Sequence, residues 1–499
     1  MNPLRAARAW SPRCLALAAL LLAGPLHAGE RAAALKPCRL VGVEQGALCG
    51  VLQRPLDPAL PAGRQIDLHY AVLPALARQR KPDPVFFFAG GPGQSAIELA
   101  GPLSRLLARL QNRRDVVLID QRGTGRSAPL QCADESPARP LTEQVEPARQ
   151  RMLIDACRRT LQALPHGDLR QYTTTIAMQD ADAVRRELGA ARINLVGASY
   201  GTRAVLEYMR QFPAAVRRAV IDGAAPPDMV LPASFSADAQ AAFDALLRSC
   251  EADASCAARY PALRSRWQAL LLSLPLEATL PHPVTNVEER VLLTRDIVTG
   301  LVRQALYAPA LASALPAALE AAAEGRFAPL FGLASALGGG GRRAGQLARG
   351  MHFSVVCAED VPRLDGSAER PGADFGTSFA ELYQKVCADW PRGEVPADFY
   401  RIGRAPAATL VLSGGIDPAT PPRHGERVAL ALGPLARHVM VANAGHGVLS
   451  LPCHRDLLFR FIDAASDGEA LQVDASCAAA VPRPPPFVAV VAKPAEAAQ

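Results

Sequence analysis

No two cysteines in this chain are spaced as Cys-x-x-Cys, which removes the common ligand pattern of a structural zinc site and of a thioredoxin-like redox centre. No lysine- or arginine-rich run is dense enough to read as a nucleic-acid surface or a polybasic membrane patch. After the N-terminus no apolar run approaches the roughly 18 to 20 residues that a membrane-spanning helix needs. An internal repeat is also missing, which excludes a solenoid. What is present is an ordinary globular composition: 499 residues, 49% hydrophobic and 20% charged, enough for a large core and for up to about three domains.

The N-terminus carries a signal of its own. A basic stretch, RAARAWSPR, precedes the apolar CLALAALLLAGPL and then LHAGE, where small Ala28 suits a cleavage point. The apolar core, at about 13 residues, is too short for an anchor, so residues 1–28 read as a secretory signal peptide. Cys14 sits at the start of that core rather than its end, against lipoprotein processing. The formal charge of +7 includes Arg5, Arg8 and Arg13, and falls to about +4 once they are removed. Beyond Cys14 there are ten cysteines, an even number suited to an oxidising compartment. They fall in neighbouring pairs, with Cys38 and Cys49 flanking a hairpin-like stretch and Cys250 and Cys256 bracketing a short loop. The expectation is five sequential disulfides: Cys38–Cys49, Cys132–Cys157, Cys250–Cys256, Cys357–Cys387 and Cys453–Cys477. Export to a periplasm or beyond the cell follows from both features.

Short runs rich in β-branched and aromatic residues alternate with helix-like stretches through the first half. LHYAVL (68–73), VFFFA (85–89), DVVLID (115–120), INLVGA (193–198) and RAVID (218–222) read as buried strands, and AMQDADAVRREL (177–188) as a helix between two of them. Such alternation predicts an α/β protein with a mostly parallel central sheet and helices on both faces. From 226 to 375 the pattern becomes Ala/Leu-rich and helix-like, broken by GGGGRR at 338–343. TLVLS (409–413) and HVMVA (438–442) then resume the strand pattern. The chain therefore divides into a core over 29–225 and 376–485, a helical cap over 226–375, and a disordered tail over 486–499.

The strand INLVGA runs into SYGTRAVLEYM, so G-x-S-x-G stands between a strand and a helix, as a nucleophile turn requires. The glycines allow a tight bend that projects the Ser199 hydroxyl; the competing reading is a serine that caps a helix. A serine needs a base, and the base an orienting carboxylate, in the chain order Ser, acid, His. Asp417 in TLVLSGGIDPATPP and His446 in HVMVANAGHGVLS follow consecutive strand patterns and fill those places. His424 is the competing base, while His438 and His454 read as packing or surface residues. The oxyanion needs backbone N–H donors: one from Tyr200, after the nucleophile, and one from AGGPG, where Gly91 is the choice because Pro92 has no N–H.

The set GGPG (90–93), DQRGTGRS (120–127), GASYG (197–201), GGIDPATPP (414–422) and AGHG (444–447) resembles the α/β-hydrolase group of prolyl aminopeptidases and tripeptidyl aminopeptidase-like (TAP-like) enzymes. The resemblance spans about residues 40 to 485. It implies the α/β-hydrolase fold, a helical cap, and a serine exopeptidase with Ser199, Asp417 and His446 in its triad. Relatives often carry histidine before GGPG; this chain has Ala89, which a backbone oxyanion hole tolerates and which leaves strict prolyl specificity open. Asp120 and Arg122 are expected to pair and brace the glycine loop, the alternative being direct contact with substrate. Glu359 and Asp360, in MHFSVVCAEDVPR, are candidate partners for a substrate ammonium, the alternative being an acidic loop pinned by Cys357. The expectation is an exported serine aminopeptidase that takes single residues or di- and tripeptides from short peptides, with no cofactor, metal, nucleic acid or membrane insertion. A carboxylesterase and a catalytically silent binding protein on the same fold are the alternatives.

Overall fold

Four consecutive apolar residues without polar alternation form a strand only where both faces are covered, and Val85–Phe88 is such a strand, buried at every position. The computed structural model describes residues 35–133, 136–338 and 346–488. The signal peptide expected over 1–28, the glycine break after Gly338, and residues 489–499 of the expected tail lie outside the described residues.

The strands are β1 (Lys36–Cys38), β2 (Ala47–Pro55), β3 (Gln65–Leu73), β4 (Val85–Phe88), β5 (Val116–Ile119), β6 (Ile193–Ala198), β7 (Val216–Asp222), β8 (Leu276–Pro281), β9 (Glu288–Leu293), β10 (Thr409–Gly414) and β11 (Ala436–Val441). Nine of them form one sheet in the order β1-β2-β3-β5-β4-β6-β7-β10-β11. The pairs from β1 to β5 along this order are antiparallel, and every later pair is parallel. Parallel neighbours need crossover helices, and these cover both faces. Phe86, Phe88, Leu195 and Ile221 pack with Met178, Val184, Val205 and Tyr208 of helices Thr174–Glu187 and Tyr200–Gln211 on one side. The alternate residues Val85, Phe87, Val196 and Val220 pack with Leu107, Leu457 and Phe461 on the other. All parallel strands end at one edge, and the loops after β4, β6, β10 and β11 carry the residues singled out in the sequence.

Between β7 and β10 the chain builds a second core of its own, around Phe243, Trp267, Leu270 and Phe331. The helix-like reading of this stretch needs one correction. β8 and β9 form a separate antiparallel hairpin, in which Leu280, Val291 and Leu293 are buried while Thr279, Arg290 and Leu292 face outward. That two-residue alternation, rather than the surrounding Ala/Leu content, decides the local structure.

The ten cysteines are bonded as 38–49, 132–157, 250–256, 357–387 and 453–477, with Cα separations from 5.1 to 6.2 Å. The first ties β1 to β2, and the fourth ties helix Arg349–Glu359 to helix Ser378–Cys387. The proline-rich 482–487 lies against the insertion: the Phe487 N–H donates to the Ser313 carbonyl at 2.8 Å, and the Tyr260 hydroxyl to the Phe487 carbonyl at 3.0 Å. Among the described residues no helix is long and apolar enough to cross a membrane.

Candidate active site

Ser199 stands where β6 gives way to helix Tyr200–Gln211, with φ 54° and ψ −125°. A non-glycine residue in that region is strained, and it persists only where its surroundings hold it. Here the Ser199 N–H donates to the Asp222 carbonyl at 2.9 Å, while the Thr202 N–H donates to the Ser199 carbonyl at 2.9 Å. The flanking glycines leave no room for a side chain. A Cβ on Gly197 would lie 2.4 Å from the Gly201 carbonyl oxygen, and one on Gly201 would lie 2.0 Å from that of Phe88. The bend is thus set by the contact between the helix start and the end of β4.

Asp417 is buried in the loop after β10 and uses both oxygens. Oδ1 accepts from the backbone N–H groups of Ala419 and Thr420 at 2.8 and 2.9 Å. Oδ2 accepts from the Thr420 hydroxyl at 2.8 Å and pairs with His446 Nδ1 at 2.8 Å. Burial pushes the Asp417 carboxyl up, but the neighbouring His446 charge and these hydrogen bonds outweigh it and hold the carboxyl below its ordinary value. Burial likewise pushes the His446 imidazole down, and the charge and hydrogen bond of Asp417 more than reverse this, leaving it above 6.5.

His446 is held from two sides that its local sequence does not announce. Its N–H donates to the carbonyl of Tyr307 in the insertion at 3.2 Å, and the two rings meet edge to face with centroids 5.3 Å apart. From the core, Asp222 at the end of β7 accepts from the N–H groups of Val448 and Leu449 at 2.9 and 3.0 Å, fixing the loop that leaves His446. Neither Tyr307 nor Asp222 was found from the sequence. A carboxylate at the end of a parallel strand was the available signal for Asp222; for Tyr307 there was none.

Ser199, Tyr200, His446 and Gly91 line one cavity of about 390 Å³, together with Phe235 and Tyr307 of the insertion. The glycine loop approaches closely, since a Cβ on Gly90 would lie 3.2 Å from the Ser199 Cβ. His424, His438 and His454 are elsewhere. His424 pairs with the buried Asp238 at 3.0 Å, His438 meets the Ser413 hydroxyl at 2.9 Å, and His454 is buried in helix Pro452–Asp463.

The DQRGTGRS stretch braces the glycine loop, though not through the expected pair. Asp120 accepts from the Ser95 hydroxyl at 2.6 Å and the Ile97 N–H at 3.1 Å, just beyond GGPG. Arg122 turns the other way, to Asp180 at 2.7 Å and to the carbonyls of Leu56 and Gln171. Side chains two residues apart diverge here, and each finds a more distant partner.

Glu359 and Asp360 are also placed differently from the ammonium-anchor expectation. Both are fully buried. Asp360 takes two hydrogen bonds of 3.0 Å from Arg203. Glu359 accepts from Arg203 at 3.2 Å and from the Thr174 N–H at 2.7 Å. Neither lines the Ser199 cavity, because Arg203 on helix Tyr200–Gln211 draws both inward as a structural tie. Burial above all pushes the Glu359 carboxyl up to about 7. Arg203→Met should therefore cost about 3–5 kcal/mol by leaving two facing buried carboxylates uncompensated. A carboxyl that holds its proton more tightly folded than unfolded is stabilised as pH falls, so the loss should be smaller at pH 5 than at pH 8. Urea unfolding at both pH values checks this; an unchanged midpoint would refute it.

Comparison with known proteins gives matches across most of the chain. Residues 83–248 match the family model described as alpha/beta hydrolase fold, and residues 372–477 the one described as TAP-like protein. The chain is similar to "Serine protease Hip1" of Mycobacterium tuberculosis, 26% identical over 438 residues, covering 79% of this chain and 81% of the relative. It is similar to a tripeptidyl aminopeptidase of Streptomyces lividans, 30% identical over 195 residues, covering 36% and 35%. "Carboxylesterase B" of M. tuberculosis is 29% identical over 424 residues, covering 78% of each chain.

Proposed function

The chain belongs to the α/β-hydrolase family, in its TAP-like group, and from that membership we propose an exported serine peptidase that releases single residues or di- and tripeptides from the N-termini of short peptides. One observation carries the reading: the His446–Asp417 pair, at 2.8 Å, opens onto the same cavity as the strained Ser199.

In the proposed reaction the Ser199 hydroxyl attacks the scissile carbonyl carbon while its proton passes to His446 Nε2. Asp417 holds Nδ1–H, fixing the tautomer that leaves Nε2 free to accept. The N–H groups of Gly91 and Tyr200 receive the developing oxyanion, a contribution of about 3–4 kcal/mol for each such donor. His446 then gives its proton to the leaving amine, and water attacks the acyl-enzyme by the same route. Export is proposed on the five disulfides and the N-terminal leader pattern. The insertion over 226–375 is proposed as the cap that limits substrate length, since Phe235 and Tyr307 wall the cavity.

Peptide anilides with free and acetylated N-termini test the amino-terminal preference directly. None of the side chains lining the cavity is acidic among the described residues, so the amine would be held by neutral acceptors and free peptides should be cleaved several-fold faster, roughly the scale of one neutral hydrogen bond. Equal cleavage of blocked peptides would remove the aminopeptidase reading and leave the hydrolase. The similarity to a carboxylesterase over 424 residues favours an esterase as the second reading. Turnover of simple acyl esters exceeding that of every peptide would select it.

A further inference from the structure

Arg303 lies in the last turn of the cap helix Arg295–Leu306. Its guanidinium sits 4.4 Å from the Phe235 ring centroid and 5.3 Å from that of Phe379, and donates to the Tyr307 hydroxyl at 3.0 Å. The Nε is buried with no hydrogen-bond partner, and no carboxylate of the described residues pairs with the group. The fully buried arginines Arg114, Arg122 and Arg203 are matched with acids, Asp83 at 2.9 Å, Asp180 at 2.7 Å and Asp360 at 3.0 Å, whereas the half-buried Arg303 is not. A guanidinium stacked on aromatic faces is held in place while keeping its donors for a planar anion.

The direction of Arg303 matters as much as its charge. Arg303 stands one layer behind the Ser199 cavity: Phe235 and Tyr307, which hold it, line that cavity while Arg303 itself does not, and its charge reaches His446, opposing the upward pull of Asp417. Tyr307 packs edge-on against His446. His446 must protonate the departing amine, so the leaving part of the substrate lies on its side of the cavity. Gly91 and Leu347 line the same cavity side by side.

We propose that Arg303 binds a carboxylate on the leaving-group side of the scissile bond, so that the favoured substrates are short peptides whose free C-terminus lies just beyond the bond cut. This rests on the serine-peptidase reading and narrows it to a substrate class. The cap then selects by charge as well as by length, and polypeptides with distant C-termini are poor substrates.

Four peptides sharing one N-terminal sequence test it: a free acid and its C-terminal amide, and amides with Glu or Gln as the leaving residue. Wild type should prefer the free acid over the amide by about tenfold or more in kcat/KM, expressed mainly in KM, the scale of one charge-assisted contact. Arg303→Gln should bring that ratio close to one, and Arg303→Lys should retain part of it. The ratio within one preparation does not depend on the folded fraction. A Glu-over-Gln preference among the amides, lost in Arg303→Gln, supports the carboxylate seat with a side chain as its source. Equal kcat/KM for all four in wild type, or an acid preference that survives Arg303→Gln, overturns the proposal while leaving the peptidase intact. Cleavage of none of the four by enzyme that a fluorophosphonate labels overturns both.

Discussion

Ser199→Ala should lower turnover of the best peptide by about 10⁶-fold, the size seen when a triad nucleophile is removed and only binding and oxyanion contacts remain. It should also abolish covalent labelling by a fluorophosphonate. The change removes one hydroxyl from a residue whose contacts to the fold run through its backbone: the N–H to Asp222 and the carbonyl to Thr202. Alanine accepts the φ of 54° no worse than serine, since both carry a Cβ. The thermal midpoint should therefore stay within about 2 °C of wild type, a change no larger than an ordinary surface substitution gives. A folded variant that kept more than about 1% of wild-type turnover would exclude Ser199 as nucleophile, because removing a triad nucleophile costs far more than about a hundredfold. Persistent labelling would say the same by an independent route.

What was legible in the sequence was local. VFFF, VVLI and INLVGA are strands because unbroken apolar runs of that length have few other uses, and their glycine-rich ends mark the sheet edge. Ser199, Asp417 and His446 each follow such a run, so their convergence came from strand order rather than from any contact between distant positions. The partners that complete the site were not legible. Tyr307 meets His446 from the cap, across 139 positions of chain, and Arg303 has meaning only through the rings that surround it. The errors share that origin. Asp120 and Arg122 look like a pair in sequence but bind Ser95 and Asp180. Glu359 and Asp360 could be read as ammonium partners or as a structural acidic loop until Arg203, 156 and 157 positions away, takes both. Hairpin β8–β9 was hidden by the composition of its neighbours, although its own alternation was present.

Asp417→Asn should lower kcat by about 10⁴-fold, and the cause can be read from the bonds it disturbs. The carboxylate accepts Nδ1–H of His446, so the proton sits on Nδ1 and Nε2 is free to take the Ser199 proton. An amide that turns its NH₂ towards Nδ1 selects the opposite tautomer, with Nε2 already protonated. Both backbone contacts, from Ala419 and Thr420, can still be made to the amide oxygen, so the loop should keep its shape. The pH profile gives a second, independent readout. His446 must be neutral to act as base, and in wild type its pKa is raised above 6.5, with Asp417 outweighing burial. Activity should accordingly fall as pH drops through a value above 6.5. With the carboxylate gone, burial and the nearby Arg303 charge act unopposed by it, and the acid limb should move to lower pH even as the maximum collapses. Asp222 also raises the same imidazole, but both of its oxygens are occupied by the Val448 and Leu449 N–H groups. If Asp417→Asn lost less than about tenfold and its acid limb did not move, the orienting role would pass to Asp222, since a group that sets neither the tautomer nor the pKa of the base is not the triad acid.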